Sequence, residues 1–459
     1  MMKIRFYIAL WIGKAAMLAM KILGRNATYL PGKLAVKLCP GFMGYLRLPK
    51  TVIAVTGTNG KTTVSNMLTS ILRFNGYTVT NNSLGSNIQA GVASALMEDS
   101  NWLGKSKKDF AVLEVDERSS LLIYPYIKPN YLICNNIMRD SNKRNAHTEF
   151  ISYIINRAVP TSTHLVLNGD DLICSTLAPE NEKRTYFGVE ANAPQETQPP
   201  FICDIAYCPK CNTRLKYDYL RYNHIGRMYC PNCGLGVPRR DFVVTDVDCV
   251  KNLLTVSHDG VSENYHLVND NIINVYNLCG VIALLTQVGL TYEQIANGIQ
   301  NSQIVKTRYD QVTAGDLNIT MQLSKGQNPI ACTRAFHYAA SCAGSNKALI
   351  ILVDDQGENI NDSENICWLY DCDYSFLADP SIGQVIFAGP RCKDHYLRAL
   401  LSGVDANRIK LTPDFTGGPD LVDYASAKDI YVLYDLHAVD KAQIVKKHLI
   451  EIGNGGNGE

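Results

Sequence analysis

Thr51-Val52-Ile53-Ala54-Val55-Thr56-Gly57-Thr58-Asn59-Gly60-Lys61-Thr62-Thr63 decides how this chain is read. The β-branched run ending at Thr56 reads as a buried strand, and a glycine-rich turn follows it. Val64 to Phe74 then has helical spacing, with Met67, Leu68, Ile71 and Leu72 on one face. Strand, glycine loop and helix in that order make a phosphate cradle. Backbone N–H groups at the helix N-terminus face the anion, and Lys61 adds a point charge. Gly57, Thr58, Asn59, Gly60, Lys61, Thr62 and Thr63 are therefore candidate nucleotide contacts, and Thr62 is placed to ligate Mg²⁺. A full P-loop has a glycine five positions before Gly60, where Val55 stands, so the general motif matches in its second half. The strand before and the helix after weigh against a chance Gly-Lys-Thr in a turn.

Working outward, Phe110-Ala111-Val112-Leu113-Glu114-Val115-Asp116-Glu117 reads as a second buried strand ending in acids. A carboxylate at the C-terminal edge of a strand beside a phosphate loop completes a Mg²⁺ shell. Glu114 is the first choice, then Asp116 and Glu117; solvated acids at a strand end are the alternative. Leu132 to Asn136 and His164 to Asp170 add short strands with polar C-terminal ends, and Phe150 to Ala158 is a helical stretch between them. This alternation predicts a doubly wound α/β domain.

Cys208-Pro209-Lys210-Cys211 and Cys230-Pro231-Asn232-Cys233 are the second decisive pattern. Two Cys-x-x-Cys knuckles at this separation predict a zinc ribbon inserted at about 201–240. Four thiolates close the tetrahedron and leave no position for water, so the expected Zn²⁺ is structural. His224, between the knuckles, is assigned no metal role. Beyond the insert, strands are expected over Asp241 to Val256 and Tyr265 to Val268. A helix over Val275 to Val288 has Asn274 and Asn277 at its start, and Arg308 lies in an interdomain segment. From Gly315 a new α/β pattern begins, with parallel strands at Ile319 to Leu323, Ala348 to Val353, Gln384 to Ala388 and Ile430 to Tyr434. The expected division is an N-terminal helical segment 1–50, a central ATP-binding domain 51–310, a C-terminal α/β domain 315–452 and a disordered tail 453–459.

Composition bounds the rest. The chain has 459 residues, with 46% hydrophobic and 19% charged, which is globular and suits several cores. Lys+Arg 44 against Asp+Glu 43 gives net charge +1, so no global field draws nucleic acid. The fifteen cysteines are an odd number in a long chain, and only four form a pattern, which argues against a secreted disulfide scaffold. Cys134, Cys174, Cys279 and Cys342 read as small buried hydrophobes. Phe6 to Ile22 is apolar but interrupted by Lys14 and flanked by Arg5, Lys21 and Arg25. It predicts an amphipathic helix that packs on the protein or lies at a membrane surface, rather than a span.

The phosphate-loop residues Thr56 to Thr63 resemble those of the Mur ligase superfamily, whose members activate a carboxylate as an acyl phosphate and let an amine attack it. Glu114-Val115-Asp116-Glu117 resembles the family's magnesium acid, Asn274-Val275-Tyr276-Asn277 its Asn-x-x-Asn adenine region, and Arg308 its phosphate-reaching arginine. With the inserted ribbon, the chain is similar to the MurT family, the ligase-like subunits of lipid II isoglutaminyl synthase. Ala27-Thr28-Tyr29-Leu30-Pro31-Gly32, Tyr217-Asp218-Tyr219, Trp368 to Tyr374, and Gly389 with Arg391 also fit. The resemblance implies a Mur ligase-like P-loop central domain, ATP, Mg²⁺ and a structural Zn²⁺. It also implies amidation of the D-glutamate α-carboxyl of lipid II in the cytoplasm, at most peripherally at the inner face of the membrane. The ammonia would come from a GatD-like glutaminase partner.

Several positions depart from the family. An ungapped match puts Asn365 where the family has the Asp that completes the partner's Cys–His pair, and Asp355, Asp362 and Asp371 are the acids that would substitute. The family's Asn-Pro-x-Gly appears as Asn328-Pro329-Ile330-Ala331. Its Arg-Asp-Gln-x-Asp-Arg-x-Gly-Glu stretch appears as Arg139-Asp140-Ser141-Asn142-Lys143-Arg144-Asn145-Ala146-His147. The nucleotide parts match well, and the acceptor and partner parts match poorly. A Mur-type ligase that joins a different acid and amine without a glutaminase is one alternative. A nucleotide-binding scaffold subunit is the other.

Overall fold

The computed structural model describes residues 2–83, 86–140, 147–190, 203–268, 271–301, 309–324, 328–353, 366–435 and 437–455. The chain forms two compact units. One is Met1–Met138 with His147–Ile304, and the other is Arg139–Ala146 with Val305–Glu459.

The first unit opens with helices α1 (Met2–Ile22) and α2 (Leu30–Leu38). Its sheet contains β1 (Thr51–Thr56), β2 (Val79–Asn81), β3 (Phe110–Glu114), β4 (Tyr131–Cys134), β5 (His164–Asn168) and β6 (Arg184–Val189). β7 (Lys216–Tyr222) and β8 (Ile225–Tyr229) form a separate antiparallel hairpin. β9 (Phe242–Asp248), β10 (Leu253–His258) and β11 (Val261–His266) then rejoin the main sheet. The nine-stranded order is β11-β10-β9-β6-β5-β4-β1-β3-β2. β1 lies between β3 and β4, parallel to both, so its C-terminal end opens at the point where the strand order reverses. The hairpin and both knuckles are an insert between β6 and β9, which pair directly through Phe187 and Phe242.

Both faces of the central strands β1, β3, β4 and β5 are covered, which is why they read as continuous apolar runs. α3 (Lys61–Phe74) packs one face, alongside the later helices α6 (Ile272–Val288) and α7 (Tyr292–Asn301); α4 (Gln89–Glu98) and α5 (Thr148–Ala158) lie on the other. Val52, Ala54, Ala111 and Leu113 share a core with Phe6, Leu10 and Met17 of α1, so the N-terminal helix is part of this unit. Gly32 allows α2 to approach α4, where its N–H donates to Ser94 Oγ at 2.8 Å and a Cβ would collide with the Ala90 carbonyl.

The second unit is a six-stranded sheet of β12 (Tyr309–Ala314), β13 (Leu317–Leu323), β14 (Lys347–Leu352), β15 (Ile382–Ala388), β16 (Ile409–Thr412) and β17 (Asp429–Tyr434). Its order is β12-β13-β17-β14-β15-β16. All neighbours are parallel except β12 and β13. α8 (Pro329–Ser341) and α9 (Cys392–Leu401) join the core of Leu349, Ile351, Phe387 and Trp368; α10 (Val439–Gly453) packs on the opposite face against Ile319, Ile350 and Val432. The four expected parallel strands are present, and β12 and β16 are additional edges. Residues 456–459 of the expected tail lie outside the described residues. Cys134, Cys174 and Cys279 are buried as expected; Cys342 is only half-buried, at the end of α8.

Candidate functional site

The phosphate loop leaves β1 and enters α3. Gly57 (φ +118°) and Gly60 (φ +86°) both take backbone conformations that side-chain-bearing residues avoid. A Cβ on Gly60 would stand 2.5 Å from Asn277 Oδ1 and 2.7 Å from Asn135 Nδ2. Gly60 is the N-cap of α3 and supplies no side-chain hydrogen bond, so no cap competes with an anion for the first-turn N–H groups.

The loop is pinned by the chain leaving β4. Thr58 N donates to the Asn136 carbonyl and Asn59 N to Asn136 Oδ1, both at 2.9 Å. Thr58 Oγ1 donates to the Met138 carbonyl and accepts from Met138 N, each at 2.9 Å. The Thr58 hydroxyl thus holds the loop in place. Asn135 donates to Asn277 Oδ1 at 3.1 Å, and Asn277 donates to Asn274 Oδ1 at 3.4 Å. The two asparagines singled out in the sequence therefore meet one another, and Asn277 buttresses the loop at Gly60.

Lys61 Nζ donates to the Gly57 carbonyl at 2.5 Å and to Glu117 Oε1 at 2.8 Å. Burial on its own lowers the Lys61 pKa, but Glu117 first, then Glu114 and Asp116, more than offset this and raise it above the ordinary value. The ammonium therefore stays charged at neutral pH. Thr62 Oγ1 donates to Glu114 Oε2 at 2.9 Å, and Asn87 Nδ2 donates to Glu114 Oε1 at 3.2 Å. Asn82 grips the Glu114 backbone from both sides, accepting from its N–H at 2.8 Å and donating to its carbonyl at 2.9 Å. A hydroxyl and a carboxylate so oriented are hard oxygen donors of the kind Mg²⁺ takes. Arg308, Asp355, Asp362 and Asn365 lie outside the described residues.

The second site is the four-cysteine cluster. The sulfurs of Cys208, Cys211, Cys230 and Cys233 all lie within 4.8 Å of one another. Cys208–Cys233 are 3.6 Å apart and Cys211–Cys230 3.4 Å. Tetrahedral Zn–S bonds of about 2.3 Å put sulfurs about 3.8 Å apart, so the donor set fits zinc. Leu172, Leu215 and Met228 pack beneath it. His224 is buried under the ribbon, with Nε2 at 3.2 Å from Asp171 Oδ1 and Nδ1 at 3.8 Å from Asp204 Oδ2.

Sequence reasoning missed how the insert is fastened. Asp170 Oδ1 pairs with Arg240 at 2.9 Å, while Oδ2 accepts from Val189 N and Tyr276 OH, both at 2.8 Å. Asp171 caps the following helical turn through Ile173 N and Cys174 N. The Asp-Asp doublet after β5 was the available signal. It also missed that Glu117, ranked behind Glu114, holds Lys61.

In the second unit, the two segments that depart from the family come together. Asn328 caps α8 through Ala331 N and donates its amide to Asp140 Oδ1 at 2.8 Å. Arg139 lies 3.7 Å from Asp371, one of the acids considered as a substitute for the family aspartate.

Comparison with known proteins fits this layout. Residues 55–199 match the Mur ligase middle domain family, and residues 325–438 match the MurT ligase C-terminal family. The MurT subunit of lipid II isoglutaminyl synthase from Staphylococcus aureus (strain COL) is 28% identical over 425 residues, covering 92% of this chain and 93% of that protein. The MurT subunit from Streptococcus pneumoniae is 27% identical over 437 residues, covering 94% and 95%.

The chain resembles the MurT subunits over nearly its whole length.

Solved structures agree on the fold of this MurT relative. A pseudomurein peptide ligase type C from Methanothermus fervidus superposes with TM-score 0.69 at 20% identity, covering 91% of this chain and 84% of that one. MurF from Acinetobacter baumannii gives 0.59 at 15% identity, covering 91% and 80%. Among the described residues, no helix is long and apolar enough to cross a membrane.

Proposed function

We propose that the chain is the ligase subunit of an ATP-dependent amidotransferase that converts the D-glutamate α-carboxyl of the lipid II stem to the amide in the cytoplasm. The observation that carries this reading is the Thr62–Glu114 contact of 2.9 Å beside a charged Lys61, at the mouth of a phosphate loop. The chain's likeness to MurT over nearly its whole length supports the substrate class. Lys61, released from Glu117, would meet the transferring phosphoryl group, and Thr62 and Glu114 would hold Mg²⁺. The metal supplies charge neutralisation on the phosphate oxygens. The α3 N–H groups and Gly57–Gly60 backbone orient the phosphates. The substrate carboxylate takes the γ-phosphoryl group and ADP leaves. Ammonia then adds to the acyl carbon, inorganic phosphate departs, and the nitrogen loses a proton. Ammonia comes from glutamine through a GatD-like partner, and the four-cysteine ribbon is structural.

The test supplies purified chain with ATP, Mg²⁺ and lipid II, and follows amidated product by mass spectrometry. Product is expected from ammonium alone, and from glutamine only with the glutaminase of the same genome added. Absence of product from lipid II with ammonium would defeat the reading.

A second reading is a ligase with the same nucleotide chemistry and another acceptor. It rests on the two segments that depart from the family at neighbouring positions, which meet through Asp140 and Asn328. ATP turnover stimulated by a different carboxylate and amine, with lipid II inert, would select it.

A further inference from the structure

α1 has two apolar faces, and the protein uses only one. Phe6, Leu10 and Met17 are buried in the core, and Gly13 lies against Met97. The opposite side carries Ile4, Ile8, Trp11, Leu18 and Ile22 at spacings of three, four and seven residues, one stripe of an α-helix. These are 64%, 45%, 48%, 59% and 75% exposed. The stripe continues onto the loop after α4. Trp11 Nε1 donates to the Trp102 carbonyl at 3.0 Å, and Trp102 and Leu103 are 61% and 67% exposed. A contiguous apolar surface of this kind on a folded chain marks an interaction site.

Charge identifies what would cover it. Residues 1–50 contain nine Lys or Arg and no Asp or Glu, in a chain whose net charge is +1. Eight of the nine are exposed; Lys14 is half-buried, donating to the carbonyls of Met97 and Ser100. The acids beside the patch are already paired, Glu98 with Lys21 at 2.5 Å and Asp99 with Lys108 at 3.6 Å. An apolar stripe containing exposed tryptophan, bordered by an excess of cations, is complementary to an anionic lipid surface. A polar protein partner would use neither the stripe nor the one-signed border.

We infer that α1 and the Trp102–Leu103 loop form an interfacial docking surface for an anionic bilayer, with α1 lying in the plane of the headgroups. This is independent of the proposed acceptor, because the surface is far from needing any peptide-bearing lipid to bind.

The test is flotation of the full chain with vesicles of phosphatidylcholine alone or of phosphatidylcholine and phosphatidylglycerol in equal parts. Binding to the anionic vesicles is expected to be about tenfold or more stronger and to weaken with salt. Trp11 and Trp102 should shift their emission to the blue, whereas Trp368, only 3% exposed, should not contribute. Ile8→Gln with Leu18→Gln and Ile22→Gln should abolish the shift, and Lys3→Glu with Arg5→Glu should weaken anionic binding selectively. Both variants should keep zinc content and ATP turnover, which shows that they fold. Equal binding to both vesicles, or unchanged binding by the triple variant, overturns the inference. So does self-association or glutaminase binding that the triple variant loses without any vesicle binding, because the stripe then belongs to a protein contact.

Discussion

The phosphate loop and the cysteine ribbon share one compact unit, yet they are held in opposite ways. The loop is pinned by hydrogen bonds from distant chain segments, with Asn82, Asn136 and Asn277 fixing its neighbours before any ligand arrives. The ribbon has a small core of its own around Leu215 and Met228, and its four sulfurs converge at distances that suit a shared metal. The lesson is that one site is preorganised by the sheet, whereas the other brings together four thiols that a metal ion would tie. Damage to the first should therefore appear in chemistry, and damage to the second in local folding.

The largest expected effect is on the loop. Lys61→Ala removes the cation proposed to face the phosphates and should lower ATP-dependent turnover by about a thousandfold, with zinc content unchanged. Steady-state assays with metal analysis check both halves, and retained turnover would sink the site assignment. Next, Cys208→Ser should release zinc and strip hydrogen-exchange protection from β7 and β8, while ATP affinity moves by about twofold at most. A ribbon equally protected without zinc would erase the contrast.

A smaller effect tests the Lys61–Glu117 pair, whose side chains are 11% and 3% exposed. Glu117→Gln leaves a buried ammonium short of its counter-charge and should cost about 2–4 kcal/mol in denaturant unfolding. The sign of the pH dependence follows from the raised Lys61 pKa. Its contribution is fully present below the unfolded value near 10.5 and is lost only as pH rises through the folded value above that. The stability gap between parent and variant should therefore be flat from pH 6 to 9, within about 0.5 kcal/mol. A gap that collapses in this window would mean Lys61 is not the charged partner. Smallest is Gly60→Ala, where the left-handed backbone alone costs about 1–2 kcal/mol. The nearby Asn277 Oδ1 adds to that, so ATP affinity should fall together with stability in the same titrations.

How much of this was legible in the sequence follows the same division. Thr56 to Thr63 and the two cysteine knuckles are local patterns in which spacing dictates geometry, and both were read directly. The fold class followed from strands buried on both faces, such as Val52 to Val55 and Leu349 to Ile351, whose apolar runs show in the sequence. What was not legible depends on distance along the chain. Nothing near Thr58 announces Met138, eighty positions away, and nothing near Lys61 selects Glu117 over Glu114. The edge strand β12 was missed because its pairing partner, not its own pattern, defines it. The apolar run of α1 was visible, but which side of it would be buried could not be decided until α4 and the sheet were placed.

The assignment of Arg139–Ala146 to the same compact unit as Val305–Glu459 has a consequence for how such a protein can be inherited. The chain visits that unit early, leaves, and returns more than a hundred and fifty residues later. A gene fragment beginning at residue 305 would encode Asn328, whose side chain is fully buried, without the Asp140 that accepts from it. Asp371 would likewise lose Arg139. The unit cannot be exchanged between relatives as a single cassette. Recombination must carry both pieces or repair the seam, because Asp140 and Asn328 meet across it.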